Sequence, residues 1–315
     1  MKNPKPKTQN LKPLPSTPNP QNPKPLKLLL TGATGFLGGH LLRAFVEAGN
    51  EVVILKRSFS DTRRIKGCLD KVKSFDIDLV PIERPFEECG RFDCVVHTAT
   101  NYGRQGETAT EVFDANLAFP LKLLNTATFF NTATILYAYL NYYALSKRQF
   151  EDWGRVFANQ GKIQFINIKL EHMYGQGDDP SKFTTWVVQS CLKHIEKLDL
   201  TLGEQKRDFI YIDDVVEAYN LLLKKGRQSG AGFQEFDLGS GKAVSIREFV
   251  ETVRRLTCAG TELAFGAKPY REHELMHSEA DITKLLDLGW KPKYDLITGL
   301  GKMIKREEKV LGSKF

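Results

Sequence analysis

The sequence predicts an α/β fold: a doubly wound parallel sheet covered on both faces by helices, followed by a smaller C-terminal lobe. Three observations predict it. Short apolar runs alternate with segments of helical periodicity through the first half of the chain. A glycine-rich turn lies directly between the first apolar run and the first helical segment. After about Tyr174 the alternation loosens into loops rich in Gly and Asp.

Residues 1–26 hold eight of the fourteen prolines and five lysines but no acid. Such a segment buries too little apolar surface to offset its ordering entropy, so a disordered tail is expected there, either an interaction arm or a dispensable extension. The first strand is read at Leu26–Thr31, the turn at Gly32–Gly38, and the first helix from Leu41, Leu42, Phe45 and Val46. Further strands are expected at 51–55, 92–97, 128–132 and 162–169, with a helix over Tyr143–Asn159. Residues 27–173 would form the first, nucleotide-binding domain. The lobe at 174–315 would contain strands at Phe209–Ile212 and Phe233–Leu238 and helices at Val215–Lys225, Ser245–Leu256 and Ile282–Leu288, some segments returning to the first domain. The cleft between lobes is the expected substrate site.

Composition narrows the function. With 315 residues, 41% of them hydrophobic, the chain can bury a full core. Of the net charge of +7, the tail lysines supply five, leaving +2 for the rest, which argues against nucleic-acid binding. No apolar stretch approaches the roughly 18–20 residues of a membrane span, and no signal-peptide core is visible, so a cytoplasmic protein is expected. Cys68, Cys89, Cys94, Cys191 and Cys258 are scattered, with no spacing that suits a metal or a disulfide framework; mostly buried, reduced thiols are expected.

The chemistry sits in three places. Gly32, Gly35 and Gly38 follow a strand and open a helix, the context in which bare backbone approaches a pyrophosphate at a helix N-terminus, as in a Rossmann-type domain. An NAD site normally carries an acid at the end of the second strand; here Lys56 and Arg57 stand there, which suits the 2′-phosphate of NADP, although two solvated surface charges would read the same. NADP is therefore preferred and NAD possible. Tyr143 and Lys147 lie four apart, so both emerge on one helix face, and an adjacent ammonium is expected to favour the phenolate and bring Tyr143 into working range as a proton relay. Thr134, nine residues earlier at a strand end, can bond the same substrate oxygen.

With Thr31–Gly38, Thr134, Tyr143–Lys147 and Leu170–Gly175, the chain from about Leu26 to Lys309 resembles the extended short-chain dehydrogenase/reductases, the nucleotide-sugar epimerases, dehydratases and reductases. Within them, Thr98–Arg104, Lys169–Gly175, Gly203–Phe209 and Arg271–Met276 look most like the CDP-paratose and CDP-abequose synthases. The resemblance implies NADPH-dependent reduction of the 4-keto group of a CDP-4-keto-3,6-dideoxy sugar, in the making of surface-polysaccharide dideoxyhexoses. Thr134, Tyr143 and Lys147 would be catalytic, and Asn116 would hold the helix that carries Lys147. Thr34, Phe36, Leu37, Asp76, Ile77, Thr98, Ala99 and Thr100 would join the glycines, Lys56, Arg57 and Asn116 around the cofactor. Tyr102, Arg104, His172, Lys182, Phe183, Tyr211, Arg207 and Arg271 would meet the substrate. The two arginines suit its diphosphate, since a guanidinium bonds two oxygens at once, or are structural ion pairs. A homodimer is implied as well, and no metal.

The same resemblance marks two departures. Relatives that eliminate water follow the strand-end Thr with an Asp-Glu pair, whereas Thr134 is followed by Ile135 and Leu136. Reductase and 4-epimerase with tightly bound NAD share the remaining residues and stay open as alternatives. Between Pro120 and Thr134 the chain is several residues shorter than its relatives, and Asn-Thr-Ala-Thr occurs at both 125–128 and 131–134. A truncated helix is expected there; if Leu117–Thr126 fails to reach back across the sheet, the strand bearing Thr134 is displaced and a catalytically silent dinucleotide-binding regulator results.

Overall fold

The computed structural model describes residues 24–124, 128–225 and 232–312. All but three residues of the predicted tail lie outside that range.

The chain runs β1 (Lys27–Thr31), α1 (Phe36–Glu47), β2 (Glu51–Lys56), a 3-10 segment (Arg63–Lys71), β3 (Lys73–Asp76), α2 (Arg84–Cys89), β4 (Cys94–His97), and a helix made of α3 (Ala109–Phe113), a π turn (Asp114–Ala118) and α4 (Phe119–Leu121). Next come β5 (Thr128–Thr134), α5 (Tyr142–Asn159), β6 (Gln164–Leu170), β7 (His172–Tyr174), α6 (Phe183–Leu192), β8 (Lys197–Leu200), β9 (Lys206–Tyr211) and α7 (Ile212–Lys225). The chain then continues through β10 (Gly232–Leu238), β11 (Ala243–Ser245), α8 (Ile246–Leu256), β12 (Glu262–Phe265), α9 (Thr283–Asp287) and α10 (Leu296–Gly312).

Seven strands form one parallel sheet in the order β10-β6-β5-β4-β1-β2-β3. The near-continuous apolar text of β1, β2 and β4 follows from burial on both faces, and two apolar clusters accordingly flank the sheet. β10, grouped with the later lobe by position in the sequence, pairs with β6 along its whole length and completes the main sheet. β7, β9 and β11 form a three-stranded sheet beyond it, and β8 pairs with β12.

The shortened connection does not displace β5. Val95 to His97 of β4 face Phe129 to Asn131, and Thr128 to Thr134 pair residue for residue with Gln164 to Leu170. The ladder is held from both sides, and Phe129 is buried against Phe150 and Phe165. The helix before it ends at Leu121. The link at 125–127 lies outside the described residues.

Helix α5 is set down by its start and by one glycine. The Asn141 side chain accepts from Ala144 N at 2.9 Å, which caps the helix just before Tyr143. Gly154 lies flat on Phe165, where an added Cβ would come within 2.3 Å of the ring. A larger residue would lift α5, and with it Tyr143 and Lys147, off the sheet.

Candidate active site

The glycine turn leaves β1 and passes over the end of β4. Gly32 has φ +72°, and a Cβ on it would lie 2.5 Å from Ala99 N and 2.6 Å from Thr98 Oγ1. A Cβ on Gly38 would lie 2.1 Å from Gly32 O, so both positions need glycine for packing alone. Gly35 caps α1 with no side-chain bond, and no acid stands in the first turn. The N–H groups of Phe36 and Leu37 at that end therefore have no side-chain competitor for an anion, and Thr34 lies on the same turn. These features fit a dinucleotide pyrophosphate. Thr98 Oγ1 donates to Thr31 O at 2.8 Å, and Ala99 N donates to Thr31 Oγ1 at 3.3 Å, tying the predicted Thr98–Thr100 segment to the turn.

At the far end of β2, the expected cationic pair is split. Lys56 forms a hydrogen-bonded ion pair with Asp76 at the end of β3, its side chain only 13% exposed. Both residues were assigned to the cofactor, but register places them side by side, Lys56 against Asp76, and each neutralises the other. Arg57 remains exposed, with its guanidinium 4.7 Å from the centre of the Phe59 ring. Ile77 N donates to Lys56 O at 2.9 Å.

Asn116 occupies the π turn and is fully buried. Its Nδ2 donates to Asn101 O at 2.8 Å and to Ser146 Oγ at 3.1 Å, while its Oδ1 accepts from Asn101 N at 2.7 Å and Thr100 Oγ1 at 3.3 Å. A π turn re-aims one side chain within a helix, and here it clamps the loop after β4 to α5. Ser146 and Asn101 were not singled out from the sequence. Ser146 precedes Lys147, but its partner across 30 residues is set only by packing.

Thr134 and Tyr143 come together at the end of β5, and Lys147 follows Tyr143 by four residues on α5. The Thr134 side chain and Tyr143 hydroxyl are hydrogen-bonded. Tyr102 packs its ring 4.9 Å from that of Tyr143, and Arg104 lies 5.0 Å over Tyr102. The electrostatic expectation for the pair needs correction. Burial pushes the Tyr143 phenol up, Tyr102 adds to it, and the Thr134 bond only partly opposes it. Burial also lowers Lys147, to about 8. Loss of solvent disfavours each charged form, so at neutral pH Tyr143 rests as a neutral phenol and Lys147 as an ammonium. His97, buried at the end of β4, is held well below its ordinary range by burial and then by Lys147; its Nδ1 lies 2.7 Å from Thr31 Oγ1.

The expected substrate residues divide. His172 lies near the sheet end, its ring 5.9 Å from Phe209 and its Nδ1 3.4 Å from Glu171. Lys182 pairs with Asp178 at 3.0 Å, and Phe183 packs on Trp186 and Phe249. Arg271 is exposed. Arg207 is buried in an ion pair with Glu274, so its guanidinium is occupied. Tyr211 is a correction: it has no exposed surface and packs between Tyr174 and Tyr294. Its place at the end of β9 turns it into the core, away from any cleft. A cavity of about 1110 Å³ opens beside Thr134 and Lys147, walled also by Glu151, Lys169, Glu171 and Asp237. Glu151 was legible in principle, being one helical turn beyond Lys147 on the same face.

A family profile described as "NAD dependent epimerase/dehydratase family" matches residues 28–139 and 130–239. The chain belongs to this family. It is an enzyme of the extended short-chain dehydrogenase/reductase type, dependent on a nicotinamide dinucleotide. It is 32% identical over 295 residues to a CDP-abequose synthase of Salmonella muenchen, covering 90% of this chain and 98% of that protein. A putative UDP-glucose 4-epimerase of Methanocaldococcus jannaschii is 23% identical, covering 88% of this chain and 97% of that one. Among solved structures, the UDP-glucose 4-epimerase of Thermotoga maritima, with UDP-glucose, superposes with a TM-score of 0.78 at 22% identity, covering 91% of this chain and 100% of that one. The UDP-glucuronic acid 4-epimerase of Bacillus cereus, in complex with UDP-glucuronic acid and NAD, gives 0.79 at 20%, covering 90% and 100%. These likenesses show the fold. Among the described residues no helix is long and apolar enough to cross a membrane.

Proposed function

We propose that the protein is an NADPH-dependent 4-ketoreductase of a CDP-linked 3,6-dideoxy sugar. The observation that carries this reading is the bonded Thr134–Tyr143 pair, with the phenol kept protonated by burial. Reduction of a ketone needs a proton donor at the oxygen that becomes alkoxide, and a neutral phenol is that donor. Oxidation of an alcohol, with which a 4-epimerase begins, needs the phenolate instead. The similarity to CDP-abequose synthase over nine-tenths of the chain supports the substrate class.

Thr134 and Tyr143 would grip the keto oxygen together, and Tyr143 would release its proton to it. A reduced nicotinamide dinucleotide, when bound, supplies the hydride. The Asn116 clamp holds Asn101 and α5 in one frame, so the donor stays aligned while the substrate enters. With Lys56 neutralised by Asp76, Arg57 is the cation left for a 2′-phosphate. Arg271, which is exposed, would take the diphosphate, and His172 the sugar. A homodimer through α3 and α5 is part of the same reading, supported by Phe113, Trp153 and Val156, each close to half exposed on those helices.

The test mixes the purified protein, NADPH and CDP-4-keto-3,6-dideoxyglucose, follows the reduced-nicotinamide absorbance and identifies the product by NMR. One NADPH consumed per product is expected. No loss of NADPH and no reduced product, together with interconversion of 4-hydroxy CDP-sugar epimers by the protein and its bound NAD, would replace this reading with the 4-epimerase.

A further inference from the structure

The loop after β4 brings an aromatic ring against the reacting phenol. Asn116 grips both backbone groups of Asn101, at 2.7 Å from its N and 2.8 Å from its O. Gly103 N donates to Asn101 Oδ1 at 2.9 Å, and Gly103 takes φ +64°, with Val112 so near that an added Cβ would lie 3.2 Å from its side chain. The reversal at Gly103 and the grip on Asn101 set the direction of Tyr102 between them. Its ring centre stands 4.9 Å from that of Tyr143, the planes tilted by 43°, and the Arg104 guanidinium lies 5.0 Å from it. Despite both contacts, 37% of Tyr102 stays exposed.

The polar side chains of the same loop are engaged within the protein. Thr98 Oγ1 donates to Thr31 O, Thr100 Oγ1 donates to Asn116 Oδ1, and Asn101 Oδ1 accepts from Gly103 N. Beside the phenol, this loop therefore offers a ring. Aromatic carbon accepts a methylene, which leaves water at a gain, and disfavours a hydroxyl, which leaves water and finds no partner there.

We propose that Tyr102 selects sugars deoxygenated at C3, by packing its ring against the carbon next to the carbonyl that Tyr143 and Thr134 hold. The inference rests on the ketoreductase reading, in which that carbonyl is C4 of a CDP-linked sugar. C3 is bonded directly to C4, so a ring that packs on Tyr143 is within reach of it. In a 3,6-dideoxy sugar C3 is a methylene, whereas in a 6-deoxy sugar it carries a hydroxyl. One hydroxyl buried without a partner lowers affinity or rate by roughly 10- to 100-fold. Tyr102 is thus a specificity-determining residue, and the proton chemistry at C4 stays with Tyr143.

The test compares CDP-4-keto-3,6-dideoxyglucose with CDP-4-keto-6-deoxyglucose, which differ only by the C3 hydroxyl. Wild-type kcat/KM should favour the dideoxy ketone by roughly 30-fold. Tyr102→Asn, which offers the hydroxyl an amide partner, should cut that preference to about threefold or less. Tyr102→Phe keeps the ring and should keep the preference. Equal kcat/KM for the two ketones in the wild type would overturn the inference, as would a preference unchanged in the Asn variant. A preference lost in the Phe variant would overturn it in favour of recognition by the Tyr102 hydroxyl. The wild-type and Phe measurements decide even where the Asn variant does not fold. Calorimetry with CDP-3,6-dideoxyglucose and CDP-6-deoxyglucose needs no turnover and should give the same order. A wild type that reduces neither ketone, yet binds the dideoxy compound more tightly until Tyr102 is replaced by Asn, refutes the ketoreductase and keeps the inference. One that reduces the dideoxy ketone but binds the two sugars alike keeps the ketoreductase and refutes the inference.

Discussion

Asn116→Ala tests whether one buried amide holds the site together. The change deletes the bonds to Asn101 O, Asn101 N and Ser146 Oγ at 2.8, 2.7 and 3.1 Å, and the longer one from Thr100. Three good bonds at about 1 kcal/mol each imply a loss of about 3 kcal/mol. None of the freed partners is regained by alanine, and the Asn101 and Ser146 groups stay sheltered from water. Because the clamp joins the loop after β4 to α5, a shift of about 1 Å at Tyr143 should also lower kcat by about 10²-fold. Equilibrium denaturation and steady-state kinetics on the same preparation read both. A stability loss below about 1 kcal/mol together with kcat within a few-fold of wild type would refute the clamp. A large stability loss with unchanged kcat would confine Asn116 to folding.

Gly32→Ala should abolish dinucleotide binding by calorimetry, since φ +72° alone costs about 1–2 kcal/mol and the new methyl meets Ala99 and Thr98; Gly49→Ala, also at positive φ but with nothing within 4 Å, is the control that should bind normally. Asp76→Ala should free Lys56 and raise the preference for NADPH over NADH by about fivefold, roughly 1 kcal/mol, whereas Arg57→Ala should lower it; equal effects on both cofactors would remove these residues from 2′-phosphate selection. Lys147→Met should eliminate turnover and yet raise the unfolding temperature at pH 7. The sign follows from linkage: with the folded-state value lowered to about 8 from 10.5, the unfolded chain holds more protons between those values, so wild-type stability rises with pH across that window, by up to about 3 kcal/mol. The variant should lack that rise, and a Met variant no more stable than wild type at pH 7 would show that the buried ammonium carries no cost.

Much of the site was legible because its chemistry is local in the chain. A strand, a glycine turn and a helix are contiguous from Lys27 to Glu47, and Tyr143 and Lys147 share a face simply because a helix repeats every 3.6 residues. Strand 128–134 could be found from its apolar run, but whether the short link before it displaced Thr134 could not. Pairing with both neighbours decided that, since a ladder held on two sides fixes register more strongly than the loop that feeds it.

Taken by itself, the sequence determined the fold class, the cofactor turn, the helix with its phenol and amine, and the family. Tertiary structure decided what each charge does once neighbours remote in the chain arrive. Lys56 is a cation in the text and half of an ion pair in the fold, because β3 places Asp76 beside it. Tyr211 was expected in a pocket but is enclosed by Tyr174 and Tyr294, and the Tyr143 phenol, expected to be lowered by Lys147, is raised by burial. Solvent exclusion depends on atoms gathered from the whole chain, and no local pattern of residues records it.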